Sequence, residues 1–283
     1  RQILTEHGLD AQIVSKIERA EALECFDEIL AASDCIMVAR GDMGVEVPLA
    51  QVPGLQKDLI SRCNASGKPV ITATQMMESM VRSPTPTRAE VTDVANAVFD
   101  GTDAVMLSGE TAVGEYPVKA VEAMRDVAIQ AEAHLPYASM IRDKVTDLEE
   151  QTDDAISYDA CRTAFQLKAS LIVAFTESGA TAGRVAKYRP LARILALTPQ
   201  ERVRRRLTLR WGVTPVIVSE LHDVEDFFKQ GRLSALESGQ MSERGKVVLV
   251  AGIPIGVQGG TNLLYVMDLS SETDSDPEQA SPE

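Results

Sequence analysis

Four clusters in the first part of the chain combine residue types that could handle an anionic substrate. Lys16 and Glu18 stand two apart in an apolar run, and alternate residues of a strand share a face. In a barrel strand both would aim at the mouth; on another strand the same spacing makes a surface ion pair. Arg40-Gly41-Asp42-Met43-Gly44 follows the next apolar run. Its glycines let backbone amides approach a ligand closely. Asp42 offers the hard oxygen that Mg²⁺ takes alongside substrate oxygens and water. A Gly-rich turn capped by Asp42 satisfies the same pattern. Thr72-Ala73-Thr74-Gln75 carries hydroxyls that suit a carboxylate, a proton relay or simply a helix cap, while Met76 and Met77 read as core filler. Ser108-Gly109-Glu110-Thr111 closes the series. Each cluster is unspecific alone. Polar, Gly-containing or chargeable residues at four successive strand ends form a joint signal.

A fifth cluster, Thr176-Glu177-Ser178-Gly179-Ala180-Thr181, links an apolar run to a helical pattern. Free amides at a helix N-terminus, with hydroxyls around them, cradle phosphate; ordinary capping by Ser178 or Thr181 fits equally. Gly256–Asn262 is a flexible loop that could close over a ligand there. Arg202–Arg206 with Arg210 reads as a solvated helix face, or as cations for that phosphate or for a subunit contact. His7, His134 and His222 match no ligand or triad spacing, and GxSxG, Walker A and Rossmann patterns are absent.

The elements that must position these residues alternate. Strands are expected at 11–17, 34–39, 69–74 and 103–107, with helices at 20–32, 52–66, 88–99 and 117–132. The strands are continuous apolar runs, as in parallel sheets buried on both faces, and such sheets bind ligands at their carboxyl ends. A small open sheet and half of a (β/α)8 barrel both fit. Residues 133–157 are polar and mark a boundary. A second α/β pattern follows: helices at 152–167, 181–189, 200–209 and 223–237, and strands at 170–175, 194–196, 214–218, 246–251 and 262–269.

At 283 residues, 45% hydrophobic and 25% charged, the chain can bury a large core and is not disordered throughout. A formal net charge of -14 argues against general nucleic-acid binding, though not against a local phosphate site. The tail from Ser270 to Glu283 holds five acids and no base and is expected to be disordered. Cys25, Cys35, Cys63 and Cys161 lack CxxC spacing and read as reduced thiols of a cytoplasmic protein. Apolar runs fall far short of the roughly 18 residues of a membrane span.

Taken together, Ile13–Glu18, Met37–Glu46, Ile71–Met80, Pro86–Glu90, Asp93–Asp103 and Leu107–Ala112 resemble the pyruvate kinase family in residues, order and spacing. The resemblance covers nearly the whole chain except the tail and looks bacterial. It implies transfer of the phosphoryl group of phosphoenolpyruvate to ADP, giving pyruvate and ATP. It implies that Lys16 neutralises the phosphoryl group in flight, and that Glu18 and Asp42 hold Mg²⁺ or Mn²⁺. The Gly41 and Asp42 amides would bind the substrate carboxylate, with Thr74 beside it near the proton step and Arg40 in the catalytic set. Thr176, Ser178, Gly179 and Thr181 would bind the phosphate of a sugar or nucleotide effector, and Gly259–Asn262 matches the segment that closes over it. Ala180 departs from the basic or polar residue many relatives have.

The fold so implied is α/β: strands five to eight of a (β/α)8 barrel over residues 1–135, and a linker and helix over 136–152. An allosteric α/β domain with a mostly parallel sheet follows over 153–269, then an acidic tail over 270–283. The K⁺ ligands of the intact enzyme would lie outside this chain, the isolated chain is expected not to turn over, and Arg1 would fall in the helix before the fifth strand. A homotetramer is expected for the intact enzyme, with no nucleic-acid or membrane partner. The alternative is a non-catalytic phosphometabolite-binding or assembly module built on the same fold.

Overall fold

Continuous apolar runs become two separate sheets in the computed structural model, which describes residues 1–239, 245–255 and 260–270. Gly256–Gly259 and the acidic tail beyond Ser270 lie outside the described residues. The chain divides into two compact units, Arg1–Tyr137 with Leu209–Trp211, and the remainder from Ala138.

The first unit opens with helix α1 (Gln2–Glu6), then runs β1 (Val14–Ile17), α2 (Ala20–Glu24), α3 (Phe26–Ala32), β2 (Cys35–Ala39), α4 (Arg40–Glu46) and α5 (Val52–Ala65). It continues through β3 (Val70–Ala73), α6 (Arg88–Asp100), β4 (Ala104–Val105), α7 (Gly109–Ala112) and α8 (Pro117–Ala133). The sheet order is β1-β2-β3-β4, and every pairing is parallel. Parallel neighbours demand crossovers, which the helices supply, so all four strands end on the same side.

The first unit departs from the sequence expectation in several places, beginning with β1, which starts at Val14 rather than at position 11. The helix over 20–32 breaks at Cys25 (φ -110°, ψ 28°), which turns Phe26 into the core at 1% exposure. Arg40–Glu46, expected as a Gly-rich turn, is a helix. The fourth strand keeps only Ala104–Val105, and just before it the Asp103 carboxylate accepts the Val70 amide of β3 at 3.0 Å.

One core packs Ile17, Phe26, Ile36, Val38, Leu59 and Val70 between the sheet and its helices. Another packs Met76, Met77 and Met80 against Val94, Ala97 and Met124. The α6 ends explain its register. Thr87 and Glu90 form a reciprocal capping box at its start. Gly101 (φ +94°) ends it, where a Cβ would lie 2.6 Å from Asn64.

The second unit contains α9 (Tyr137–Asp143), α10 (Thr152–Leu167), β5 (Leu171–Phe175), α11 (Ala180–Lys187), β6 (Arg193–Thr198) and α12 (Glu201–Leu207). Then come β7 (Val213–Ile217), α13 (Val224–Glu237), β8 (Lys246–Ala251) and β9 (Leu263–Asp268). The order is β7-β6-β5-β8-β9, parallel except for β9. Every residue of β5 is buried, as a central strand covered on both faces must be. No helix among the described residues is long and apolar enough to cross a membrane.

Candidate functional site at the carboxyl ends of β1 to β4

Because β1 to β4 are parallel and in register, the clusters at positions 16–18, 40–42, 74 and 108–110 gather along one edge of the first sheet. Lys16 is the hub. Its ammonium is ion-paired with Glu18 and lies 3.0 Å from Asp42 Oδ2. The hydrogen bonds taken by Glu18 and then by Asp42 hold the Lys16 ammonium above its ordinary pKa. Asp42 is held below the usual carboxylate range, first by Lys16 and then by Glu18. Lys16 and Asp42 stay 47% and 63% exposed, so this charge cluster is open to an incoming ligand. Glu18 Oε2 is shut off from solvent, with the Lys16 ammonium as its partner.

Thr74 stands just beyond β3 in an unusual backbone state. Thr74 (φ 70°) and Gln75 (φ 55°) are consecutive non-glycine residues in the left-handed region, one of them β-branched. Such strain costs about 1–3 kcal/mol per residue and persists only where the surroundings over-determine it. Arg40 supplies that determination. Its guanidinium donates to Ala73 O at 3.3 Å, Thr74 O at 2.8 Å and Met76 Sδ at 2.7 Å. It is anchored from behind by Asp93 Oδ1 at 2.6 Å and Gln56 Oε1 at 3.3 Å. The Arg40 side chain is only 11% exposed, so these bonds form largely away from water. Thr74 Oγ1 in turn accepts the Gly41 amide at 2.8 Å and donates to Ala73 O at 2.6 Å. The Gly41 N–H is therefore engaged by Thr74 in this state.

Glu90 ties down the rest of the segment after β3. Burial disfavours its charged form, but hydrogen bonds from Ser79 and Thr87 outweigh this and hold its pKa below the ordinary value. A cleft of about 680 Å³ opens beside the turn, lined by Arg40, Thr74, Gln75, Lys57 and Asp93 but not by Lys16, Glu18 or Asp42. Sequence reasoning passed over Asp93 and Gln56 as braces. Glu90 had a local signal in the Thr-x-x-Glu capping pattern, whereas Asp93 meets Arg40 only through the fold.

Among the described residues, no group of three or more His, Cys, Asp or Glu could hold a metal. The carboxylates of Glu18 and Asp42, converging on one cation, instead fit Mg²⁺, which takes one or two protein carboxylates and leaves its other positions to substrate and water. The Cys residues are free thiols, and burial pushes Cys35 and Cys63 up to about 12, which keeps both as inert thiols.

In the second unit, Thr176, Ser178 and Gly179 lie between β5 and α11, and Thr181 lies in the first turn of α11. Thr176 Oγ1 accepts the Gly179 amide at 2.9 Å, and Ser178 Oγ accepts the Ala180 amide at 3.4 Å. Thr181, buried, accepts a hydrogen bond from Thr261 at 3.0 Å. Ser178 is exposed, and Gly179 (φ +91°) supplies the turn. Glu177 in the same loop is raised by burial and by Glu220, which gives the loop an acidic neighbour. Arg204 and Arg205 of the basic run both pair with Glu201, and their hydrogen bonds bring that carboxyl down to about 2. They behave as a solvated helix face.

Comparison with known proteins matches this division. Residues 1–121 match the family model described as pyruvate kinase, barrel domain, and residues 154–267 the one described as pyruvate kinase, alpha/beta domain. The chain is 48% identical over 267 residues to a pyruvate kinase of Clostridium acetobutylicum, covering 94% of this chain and 56% of that protein. It is 47% identical over 266 residues to one from Staphylococcus epidermidis, covering 94% and 46%. A crystal structure of a pyruvate kinase from Cryptosporidium parvum superposes with a TM-score of 0.89 at 40% identity, covering 95% of this chain and 55% of that one. The chain thus spans about half the length of the relatives it matches. With both family models matched in order along most of its length, the chain belongs to the pyruvate kinase family.

Proposed function

We propose that the first unit carries the phosphoryl-transfer half of a pyruvate kinase site, acting on phosphoenolpyruvate and ADP to give pyruvate and ATP. The observation that carries this is the convergence of Lys16, Glu18 and Asp42 at the ends of two parallel strands. Phosphoryl transfer is mostly positioning and charge neutralisation, and a lysine beside two hard carboxylates supplies both. The P–O bond to the enol oxygen breaks, a P–O bond to the terminal ADP oxygen forms, and the enolate carbon takes a proton. Lys16 holds the charge of the phosphoryl oxygens. Glu18 and Asp42 would hold Mg²⁺ or Mn²⁺, which when bound would supply Lewis-acid neutralisation of negative charge.

Thr74 and the Gly41 amide already form one hydrogen-bonded pair. A substrate carboxylate would replace the Thr74 hydroxyl as the acceptor for that amide and leave the hydroxyl beside the enolate. Arg40 acts here as a positioning residue for Thr74, since its donors are committed to the turn. On this reading β1 to β4 are strands five to eight of a (β/α)8 barrel, residues 153–269 form the regulatory domain, and the K⁺ ligands of the enzyme are not among the residues assigned here. The Thr176–Thr181 loop takes an effector phosphate, with Ser178 as its exposed hydroxyl. The whole enzyme is a cytoplasmic homotetramer.

Titration with Mn²⁺, with and without phosphoenolpyruvate, tests the site. The expected result is one site whose metal affinity rises with phosphoenolpyruvate and which Asp42→Ala abolishes. If metal binding ignores both the ligand and Asp42, while a sugar phosphate binds at Ser178, the chain is a phosphometabolite-binding module instead.

A further inference from the structure

Glu110 is a buried carboxylate without a role in the chemistry above. It lies in the first turn of α7 and is 1% exposed. Burying a charged carboxylate is costly unless hydrogen bonds replace its water. Here both oxygens are engaged by main-chain amides from two different loops. Oε1 accepts the Met77 amide at 3.0 Å, just after the strained Thr74–Gln75 turn. Oε2 accepts the Ser108 amide at 2.8 Å, just after β4. A second tie runs in parallel, from the Glu115 amide to Val81 O at 2.9 Å. The chain passes so close to Glu110 that a Cβ at Gly114 would lie 2.3 Å from its carbonyl oxygen.

These bonds complete a chain of contacts across the strand ends. Lys16 joins the β1 end to Asp42, the Gly41 amide joins the β2 end to Thr74, and Glu110 joins the β3 loop to the β4 loop. Arg40 braces the Thr74 turn from one side, through Ala73, Thr74 and Met76; Glu110 holds the next residue, Met77, from the other.

We infer that Glu110 is a positioning residue: its single carboxylate fixes the loop carrying Thr74 against the loop carrying Ser108, and so sets the geometry with which the site receives phosphoenolpyruvate. This rests on the proposed function. A carboxylate is required because both groups facing it are donors. Glutamine keeps one acceptor oxygen and turns an N–H₂ donor against the other amide, so either the tie to the Met77 loop or the local bond that orients the side chain toward it is lost. Aspartate keeps both acceptors on a shorter stem.

The test compares the full chain with Glu110→Gln and Glu110→Asp, using Mn²⁺, phosphoenolpyruvate and amide hydrogen exchange. Replacement of outer-shell partners typically costs 10–100-fold in affinity. The expected result for Glu110→Gln is at least about a 10-fold loss of phosphoenolpyruvate-supported Mn²⁺ affinity, with affinity for Mn²⁺ alone unchanged because Glu18 and Asp42 are intact. Exchange at Met77 or Ser108 should speed up by a similar factor, and Glu110→Asp should recover part of both losses. Unchanged phosphoenolpyruvate-supported affinity in Glu110→Gln, alongside faster exchange, would overturn the positioning role and leave Glu110 purely structural. Equal losses in metal affinity with and without phosphoenolpyruvate would overturn it too, as would failure of both variants to fold. If the unsubstituted chain shows no phosphoenolpyruvate-dependent Mn²⁺ binding, the functional reading itself falls, and this inference with it.

Discussion

Two strand-to-helix loops, one in each unit, solve the same geometric problem in opposite ways. After β5, the backbone enters the left-handed region at Gly179, where no side chain resists it, and the hydroxyl of Thr176 closes the turn locally. After β3, the backbone enters that region at Thr74 and Gln75, which resist it, and a guanidinium from the preceding strand end holds it there. The first device is cheap and local. The second costs strain, and what it gains is a hydroxyl-bearing residue fixed 2.8 Å from the Gly41 amide. Strain retained at a non-glycine position, with a dedicated brace, is the mark of a place where the side chain itself is needed.

Substitutions should separate the two loops, and the largest effect belongs to the carboxylates. Asp42→Ala or Glu18→Gln removes one of the two carboxylates proposed to hold the metal and should lower Mn²⁺ affinity by more than about 100-fold, beyond the usual range for outer-shell partners. No comparable loss is expected from Ser178→Asp, whose effect should be confined to phosphate binding in the second unit.

Next comes the brace. Arg40→Met leaves Asp93 unpaired and the turn unsupported. Arg40 is mostly buried and Asp93 is 38% exposed. The cost should fall between that of surface and fully buried pairs, about 2–3 kcal/mol in urea unfolding of the first unit. Backbone exchanges should then show opposite signs. Gln75→Gly relieves strain at φ 55° and should stabilise the first unit by up to about 1 kcal/mol, whereas Gly179→Ala imposes strain at φ +91° and should destabilise the second by about 1–2 kcal/mol.

The smallest contrast is in pH. Glu90 and Asp42 are depressed in the folded protein from ordinary values of 4.5 and 3.8. Their stabilisation is present above those values and is lost as pH falls through the lower folded ones. Glu177 is raised above 4.5, so its ionisation works against folding, and the second unit recovers stability as pH falls through that raised value. Acid titration followed by residue-level hydrogen exchange should therefore loosen the segment after β3 while tightening the β5–α11 loop. Parallel loosening of both would break the comparison.

Much of this architecture was legible because it depends on local pattern. The helix over 152–167 and the strand over 246–251 fall where apolar periodicity and runs place them. Met76 and Met77 are core residues, as their chemistry suggests. The helix at Arg40–Glu46 was hidden by Gly41 and Gly44, which read locally as a turn. The Thr74–Gln75 turn carries no glycine or asparagine to announce it. Its support comes from Arg40, which lies 34 residues before Thr74 and pairs with Asp93, 53 residues from Arg40. Glu110 could be noticed in a motif, and its bond to the Ser108 amide two residues back is local, but its partner across the site, the Met77 amide 33 residues away, is set by the fold rather than by spacing.

The most direct measurement is calorimetric titration of the chain with Mn²⁺ in the presence and absence of phosphoenolpyruvate, repeated for Lys16→Met and Asp42→Ala. The expected result is a single metal site strengthened by phosphoenolpyruvate, lost in Asp42→Ala, and retained but no longer strengthened in Lys16→Met. Metal binding that is indifferent to phosphoenolpyruvate and to both substitutions would contradict it.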